Sequence, residues 1–110
     1  MRIVRTYKGT TVTPGVVSGK LFCATSIAHF DSCPKGCILA LRVATPDIIL
    51  ALASVVGIAT ETGGTTCHAA IIAREFGIPC IIGAEGIASA NNHMRDALLN
   101  GSEGLVYILR

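Results

Sequence analysis

The fold is decided by residues 61–83, which read ETGGTTCHAAIIAREFGIPCIIG. The alanine-rich part of this stretch predicts a helix that starts near Thr65 or Thr66. The helix should end just before Gly77, because glycine readily adopts the left-handed conformation that ends helices. Pro79 then prevents any continuation. An apolar strand is expected directly after this proline.

One face of the predicted helix should pack against a sheet. The residues that share this face at helical spacing are Ala69, Ile72, Ala73 and Phe76. Arg74 falls on the opposite side of the helix. The stretch therefore predicts an amphipathic helix that covers one surface of a sheet.

Short apolar runs elsewhere in the chain predict the strands of that sheet. They read VVSGKLF (16–22), CILAL (37–41), VVGIA (55–59) and PCIIG (79–83). Their continuous apolar character is typical of strands that are buried on both faces. A further helix is predicted from Thr45 through IILALAS (48–54), with Pro46 in its first turn. The order strand, helix, strand, helix, strand predicts parallel pairing through right-handed crossovers.

The C-terminal part of the chain is less regular. The segment GAEGIASANNHMRD (83–96) predicts at most one or two helical turns, because it is rich in glycine and asparagine. The segment ALLNGSEGLVYIL (97–109) predicts a hairpin, with Asn100 and Gly101 in turn conformations that other residues avoid. The expected fold class is α/β.

Length and composition limit the possible functions. The 110 residues predict one domain, residues 1–110. A formal charge of +2 without a basic cluster, and only 5% aromatic residues, disfavour nucleic-acid binding. No apolar stretch is long enough for a membrane helix. The first fifteen residues do not resemble a signal peptide, so we expect a cytoplasmic protein that does not associate with membranes.

The five cysteines are an odd number, which predicts reduced thiols rather than a disulfide framework. One grouping deserves a test as a zinc site: Cys23, His29, Cys33 and Cys37. Its irregular spacing lacks the close pairs that zinc sites favour. We therefore interpret these cysteines as small core and turn residues, and we expect no metal site.

His68 is the candidate reactive residue. A helix that begins beside it presents unpaired N–H groups and a positive dipole end, which together attract phosphate. Gly63 and Gly64 would let the backbone approach an anion, and Thr65 and Thr66 would add hydroxyl donors. The same environment favours a neutral imidazole, which can act as a nucleophile. An ordinary capped helix has similar spacing, so the pattern alone leaves both interpretations open.

The motif GGTTCHAAIIAREFGIP resembles the phosphohistidine signature of the phosphoenolpyruvate-utilising enzymes. This family includes pyruvate phosphate dikinase, phosphoenolpyruvate synthase, enzyme I of the sugar phosphotransferase system and rifampicin phosphotransferase. The segments TPGVVSGKLF, PKGCILALRVATPD and GSEGLVYIL are similar to other parts of the same mobile domain, so the resemblance covers about residues 11–109. It implies a swivelling β/β/α phosphohistidine domain that stands alone, with parallel central strands, crossover helices and a C-terminal hairpin.

The resemblance also implies roles for individual residues. His68 would be phosphorylated on a ring nitrogen, and Thr66 would bind the phosphoryl group. The phosphate cradle would comprise Gly63, Gly64, Thr65, Thr66 and Cys67. Arg74 matches a family arginine and is either a phosphate-stabilising or docking residue or a plain surface charge. Glu61 stands where relatives often have an acidic residue, and we interpret it as a solvated loop charge.

In the family, the mobile domain carries phosphate between a nucleotide-binding domain of the ATP-grasp type and a domain that binds phosphoenolpyruvate or pyruvate. The resemblance therefore implies a phosphotransferase component that is not a complete catalyst alone. This chain would bind no cofactor itself, and Mg²⁺ with ATP or phosphoenolpyruvate would be bound by separate partner chains or by other pieces of a split enzyme. Two alternatives stay open: an unphosphorylated interaction module with the same fold, and a cysteine-based metal or redox protein.

Overall fold

The computed structural model describes residues 2–24, 32–64 and 67–110. The strands are β1 (Ile3–Lys8), β2 (Thr10–Thr13), β3 (Val16–Cys23), β4 (Cys37–Leu41), β5 (Val55–Thr60), β6 (Cys80–Ile82), β7 (Asp96–Asn100) and β8 (Leu105–Leu109). The helix α1 spans His68–Phe76, and shorter 3₁₀ helices span Pro46–Ala51 and Ala90–Asn92. This mixture confirms the α/β class.

The strands form a mixed sheet in the order β1-β8-β7-β3-β4-β5-β6-β2. Strands β3, β4, β5 and β6 pair in parallel, as predicted. The long strand β3 changes partner along its length: Val16 to Lys20 pair antiparallel with β7, whereas Leu21 to Cys23 pair parallel with β4. This exchange of partners joins the C-terminal hairpin to the parallel strands.

Two apolar cores lie on opposite faces of the parallel strands. In β4, Leu39 and Leu41 belong to the core that contains Ala69 and Ala73 of α1. The alternate residues Ile38 and Ala40 belong to a second core, which is shared with the C-terminal hairpin. The hairpin contributes Leu99 of β7 and Val106 of β8 to this core. Successive side chains of a strand point to opposite faces. The continuous apolar run of β4 is therefore explained by burial on both faces.

The helix α1 ends where the sequence predicts, because Gly77 adopts φ 68° and its N–H donates to the Ala73 carbonyl. The helix begins later than predicted, at His68 with Cys67 as the N-cap residue. Residues 65–66, where the start was expected, lie outside the described residues.

The predicted buried face of α1 is wrong at one position. The buried residues are Ala69, Ala70 and Ala73, whereas Phe76 is 54% exposed. Each helical residue rotates by about 100°, so the three alanines define a face that has Phe76 at its margin. Ile72 is half-buried against the core, as expected, and Arg74 is exposed.

The segment after β4 forms a short 3₁₀ helix, Pro46–Ala51, rather than the longer helix predicted to continue to residue 54. Its buried residues, Ile48 and Ala51, are three apart, which matches the three-residue turn of a 3₁₀ helix. Thr45 precedes the helix in extended conformation but makes no side-chain cap. Segment 83–96 contains one 3₁₀ turn, within the predicted range.

The C-terminal hairpin is confirmed, but its turn differs from the prediction. The residue in positive φ is Gly104, at 73°, whereas Asn100 and Gly101 have no positive φ. Asn100 instead accepts a hydrogen bond from the Glu103 N–H through its side-chain oxygen. This asparagine therefore stabilises the turn through its side chain and not through a left-handed backbone.

The cysteines also differ from the prediction. Cys33 and Cys37 form a disulfide across the turn that precedes β4, so the expectation of reduced thiols is wrong for this pair. Cys23, Cys67 and Cys80 are free thiols. His29 of the zinc hypothesis lies outside the described residues. The expectation of no metal site at this group therefore stays a prediction.

The two cores predict a large stability difference between two isoleucines. Ile58 is fully buried in β5, whereas Ile49 is 54% exposed on the 3₁₀ helix. We expect Ile58→Ala to lower the free energy of unfolding by about 2–5 kcal/mol, because it leaves a cavity. The control Ile49→Ala should lower it by less than about 1 kcal/mol. Urea unfolding measures both values, and equal losses would contradict this core assignment.

Candidate phosphate-binding site

The candidate site lies at the edge of the sheet where the parallel strands β4, β5 and β6 end. The chain leaving β5 is hydrogen-bonded to the ends of both neighbours. The Glu61 N–H donates to the Leu41 carbonyl at 2.9 Å, and the Ala84 N–H donates to the Thr60 carbonyl at 2.8 Å. In open α/β sheets, ligands bind beyond the carboxyl ends of the strands. The predicted loop therefore begins at a place suited to ligand binding.

Side chains also fix the backbone of the loop before the glycines. The Thr60 hydroxyl donates to the Thr62 carbonyl at 2.7 Å, and the Thr62 hydroxyl donates to the Arg42 carbonyl at 2.8 Å. Thr60 is fully buried. Each hydroxyl therefore donates a hydrogen bond to a backbone carbonyl that lies beyond the end of a strand. The loop is thus anchored before it reaches Gly63.

Gly63 and Gly64 have different structural roles. Gly63 adopts φ 123°, and a Cβ atom there would lie 3.0 Å from the Cys67 Sγ atom. A side chain is therefore disfavoured by both backbone and packing. At Gly64, an added Cβ would meet no atom of the described residues within 4 Å. The carbonyl of Gly64 accepts the Cys67 N–H at 3.0 Å, and we refer to Gly63 and Gly64 as the glycine turn.

The N-terminus of α1 comes next in the described part of the chain, with Cys67 as its N-cap residue. Cys67 provides no side-chain cap, and its carbonyl accepts the Ile71 N–H at 3.1 Å. The N–H groups of the first helical turn have no acceptors within the helix. They add to the positive end of the helix dipole, where a negative group is stabilised. A helix end of this kind is suited to binding an anion.

His68 is the first residue of α1, and its side chain is exposed at this helix end. The residues that precede it are Gly63 and Gly64 in the turn and the half-buried Cys67. The structure thus brings together four of the predicted site residues. Thr65 and Thr66 lie outside the described residues, so their predicted contribution to the cradle stays a prediction.

Arg74 lies six residues beyond His68, or about 9 Å farther along the helix axis. It is exposed, and its positive charge lowers the pKa of the Cys80 thiol. This effect is outweighed by burial and by Cys67, which together raise that pKa to about 12. A role for Arg74 in phosphate stabilisation or docking stays a prediction.

Glu61 differs from its interpretation as a solvated loop charge. Its side chain is half-buried, and its Oε2 atom accepts the Ala88 N–H at 3.0 Å. The carboxylate also acts on Cys23, whose pKa rises to about 11, mainly through burial and secondarily through the charge of Glu61. Sequence reasoning missed this contact, because Ala88 lies 27 residues away.

Within residues 2–24, 32–64 and 67–110, no group of three or more His, Cys, Asp or Glu side chains is arranged to hold a metal ion. None of the helices in the same described segments is long and apolar enough to cross a membrane.

Comparison with known proteins gives relatives for most of the chain. It is 38% identical over 100 residues to a probable phosphoenolpyruvate synthase of Methanothermobacter thermautotrophicus. It is 33% identical over 100 residues to the phosphoenolpyruvate synthase of Pyrococcus furiosus. Each match covers 91% of this chain, but only 15% and 12% of the respective relatives. The chain thus spans a small part of the length of these curated proteins.

Solved structures show the same fold. A solution structure of Enzyme I is 28% identical, with a TM-score of 0.60 over 72% of this chain and 33% of that one. Aconitase X of Thermococcus kodakaraensis has a TM-score of 0.70 over 96% of this chain and 99% of that one. Its identity is only 13%, so that likeness concerns the fold alone.

A family model matches residues 33–104, which include β4 to β7, the glycine turn and His68. Its description is the mobile domain of PEP-utilising enzymes. The match agrees with the fold and with the relatives. The chain belongs to the family of PEP-utilising enzyme mobile domains.

Proposed function

We propose that this domain carries a phosphoryl group on His68. The observation that supports this function best is the position of an exposed histidine as the first residue of α1, four residues after Gly64. A nucleophile must be accessible to the phosphoryl donor, and the exposed imidazole of His68 is accessible. The N–H groups of the helix end would stabilise the negative charge of the phosphoryl oxygens.

The transfer step conserves atoms and electrons. The lone pair of a ring nitrogen of His68 forms an N–P bond, while the bond from phosphorus to the donor's leaving group breaks. The leaving group departs with that electron pair. In the second step an acceptor atom forms a bond to phosphorus, while the N–P bond breaks and its electron pair returns to the His68 nitrogen. The protein contributes position and fixed dipoles to both steps.

We further propose that the donor and acceptor sites belong to partners. One partner is a nucleotide-binding unit of the ATP-grasp type, and the other binds phosphoenolpyruvate or pyruvate. Mg²⁺ would be bound by these partners together with ATP or phosphoenolpyruvate. The small share of the phosphoenolpyruvate synthases that this chain matches supports the proposal, because those proteins contain much additional chain.

Phosphate incorporation tests the role of His68. The purified chain, His68→Ala and the control His93→Ala are each mixed with native-cell extract and labelled ATP or phosphoenolpyruvate. His93 is a suitable control because it is also an exposed histidine. We expect an acid-labile, alkali-stable label on the wild type and on His93→Ala, but none on His68→Ala.

Two results would contradict the carrier role. One is full labelling of His68→Ala. The other is no labelling of any variant in an extract with active phosphotransfer, which would favour an unphosphorylated interaction module. The melting temperature of His68→Ala should stay close to that of the wild type, because an exposed side chain contributes about 0.5 kcal/mol or less to stability.

The glycine pair gives a second prediction. Gly63→Ala should lower the free energy of unfolding by about 1–3 kcal/mol, because alanine is strained at φ 123° and would press on Cys67. Gly64→Ala should fold with nearly wild-type stability, since its Cβ would meet no atom of the described residues within 4 Å. It should nevertheless slow phosphorylation by roughly tenfold or more, because the added methyl group enters the proposed cradle. Thermal unfolding and labelling rates measure both effects, and equal stability of the two variants would contradict this account.

A further inference from the structure

Glu61 is fixed at both its backbone and its side chain. Its N–H donates to the Leu41 carbonyl at the end of β4, and its Oε2 atom accepts the Ala88 N–H. A bond from a backbone N–H to a carboxylate is charge-assisted and stronger than a neutral one. The residue lies two positions before Gly63. A displacement of Glu61 would therefore move the glycine turn.

The segment that contains Ala88 is itself firmly held. Asn92 is fully buried, and its Nδ2 atom donates to the Ile87 carbonyl at 3.2 Å and to the Tyr7 hydroxyl at 2.8 Å. Ile87 is also fully buried, within the core shared with the C-terminal hairpin. The Ala88 N–H is thus a fixed point for the carboxylate of Glu61.

The carboxylate lies in a partly enclosed environment. Its charge contributes to the raised pKa of Cys23, whose thiol lies 3.5 Å from the Ser89 carbonyl oxygen. Withdrawing a charge from water costs free energy unless hydrogen bonds compensate. The contact with Ala88 is therefore a specific tie between the glycine loop and the segment after β6.

We propose that Glu61 is a positioning residue for phosphoryl transfer, and this inference rests on the proposed function of His68. By accepting the Ala88 N–H, its carboxylate fixes the loop that leads to Gly63 and Gly64 relative to the segment after β6. It acts as a hydrogen-bond acceptor and exchanges no proton with the substrate. Phosphoryl transfer depends on such placement, because a misplacement of about 1 Å can reduce a rate about a hundredfold.

Chemical phosphorylation tests this role without a partner protein. Phosphoramidate transfers its phosphoryl group to imidazole: the P–N bond of the reagent breaks, a new P–N bond forms and ammonia leaves. The variants are Glu61→Ala, Glu61→Gln and the control Glu85→Ala, which removes an exposed carboxylate from the adjacent turn. The rate at His68 is followed by peptide mass spectrometry and ³¹P NMR.

We expect Glu61→Ala to slow phosphorylation of His68 by about 10- to 100-fold while the chain stays folded. Glu61→Gln should stay within a few-fold of the wild type, because its amide oxygen can still accept the Ala88 N–H. Glu85→Ala should be unchanged. A rate for Glu61→Ala within twofold of the wild type would overturn the proposal. So would a rate for Glu61→Gln as low as that of Glu61→Ala.

A second readout separates this inference from the proposed function. Amide hydrogen exchange and ¹H–¹⁵N spectra are recorded for the unphosphorylated variants. Glu61→Ala should speed exchange at Ala88 and shift the amide signals of Gly63, Gly64 and Cys67, whereas Glu61→Gln and Glu85→Ala should not. If the wild type takes up no phosphate, the carrier role fails but these spectra still decide the role of Glu61. Unchanged signals in Glu61→Ala would overturn it.

Discussion

The structure depends on the burial of β5 between two cores. Ile58 faces the core beneath α1, and Ala59 faces the core shared with the C-terminal hairpin. Parallel strands β4 and β6 pair with its two edges. The chain can therefore leave β5 only at the sheet edge, where the carboxyl ends of its neighbours provide hydrogen-bond acceptors and donors. The glycine turn and the first residue of α1 follow directly.

The burial of β5 also supports the chemistry proposed for the site, because it fixes the start of the loop that leads to His68. An exposed loop would leave His68 without a fixed relation to the backbone N–H groups around it. Here Thr60, Glu61 and Thr62 each use a side chain to fix backbone in or beside the loop. The loop before the exposed imidazole is thus held in place by hydrogen bonds. The backbone therefore needs little rearrangement when a charged group binds.

The sequence predicts the strands that are buried on both faces, because continuous apolar runs have few alternative structures. It does not reveal β1 and β2, which lie at the two edges of the sheet and are largely exposed. The branched and aromatic residues of β1, which reads IVRTYK, are the signal that was available. The exposed position of Phe76 depends on the rotation of α1 about its axis, which is set by the packing of the three alanines against the sheet. Periodicity alone does not determine this rotation.

The candidate site is predicted in part for similar reasons. The local sequence predicts a turn at Gly63 and a helix start near His68, since turns and helix ends are local structures. The contact between Glu61 and Ala88 joins residues far apart in sequence, and only the packing of the segment after β6 reveals it. The turn at Gly104 was misassigned to Asn100 and Gly101, because the side chain of Asn100 stabilises the turn in place of its backbone.

The most direct test of the account is a ¹H–¹⁵N NMR comparison of the chain before and after phosphorylation with phosphoramidate. The account predicts phosphate on His68, with the largest amide shifts at Gly63, Gly64 and the first turn of α1. Phosphate located only on His29 or His93, or phosphorylated His68 with no shift in those amides, would contradict it.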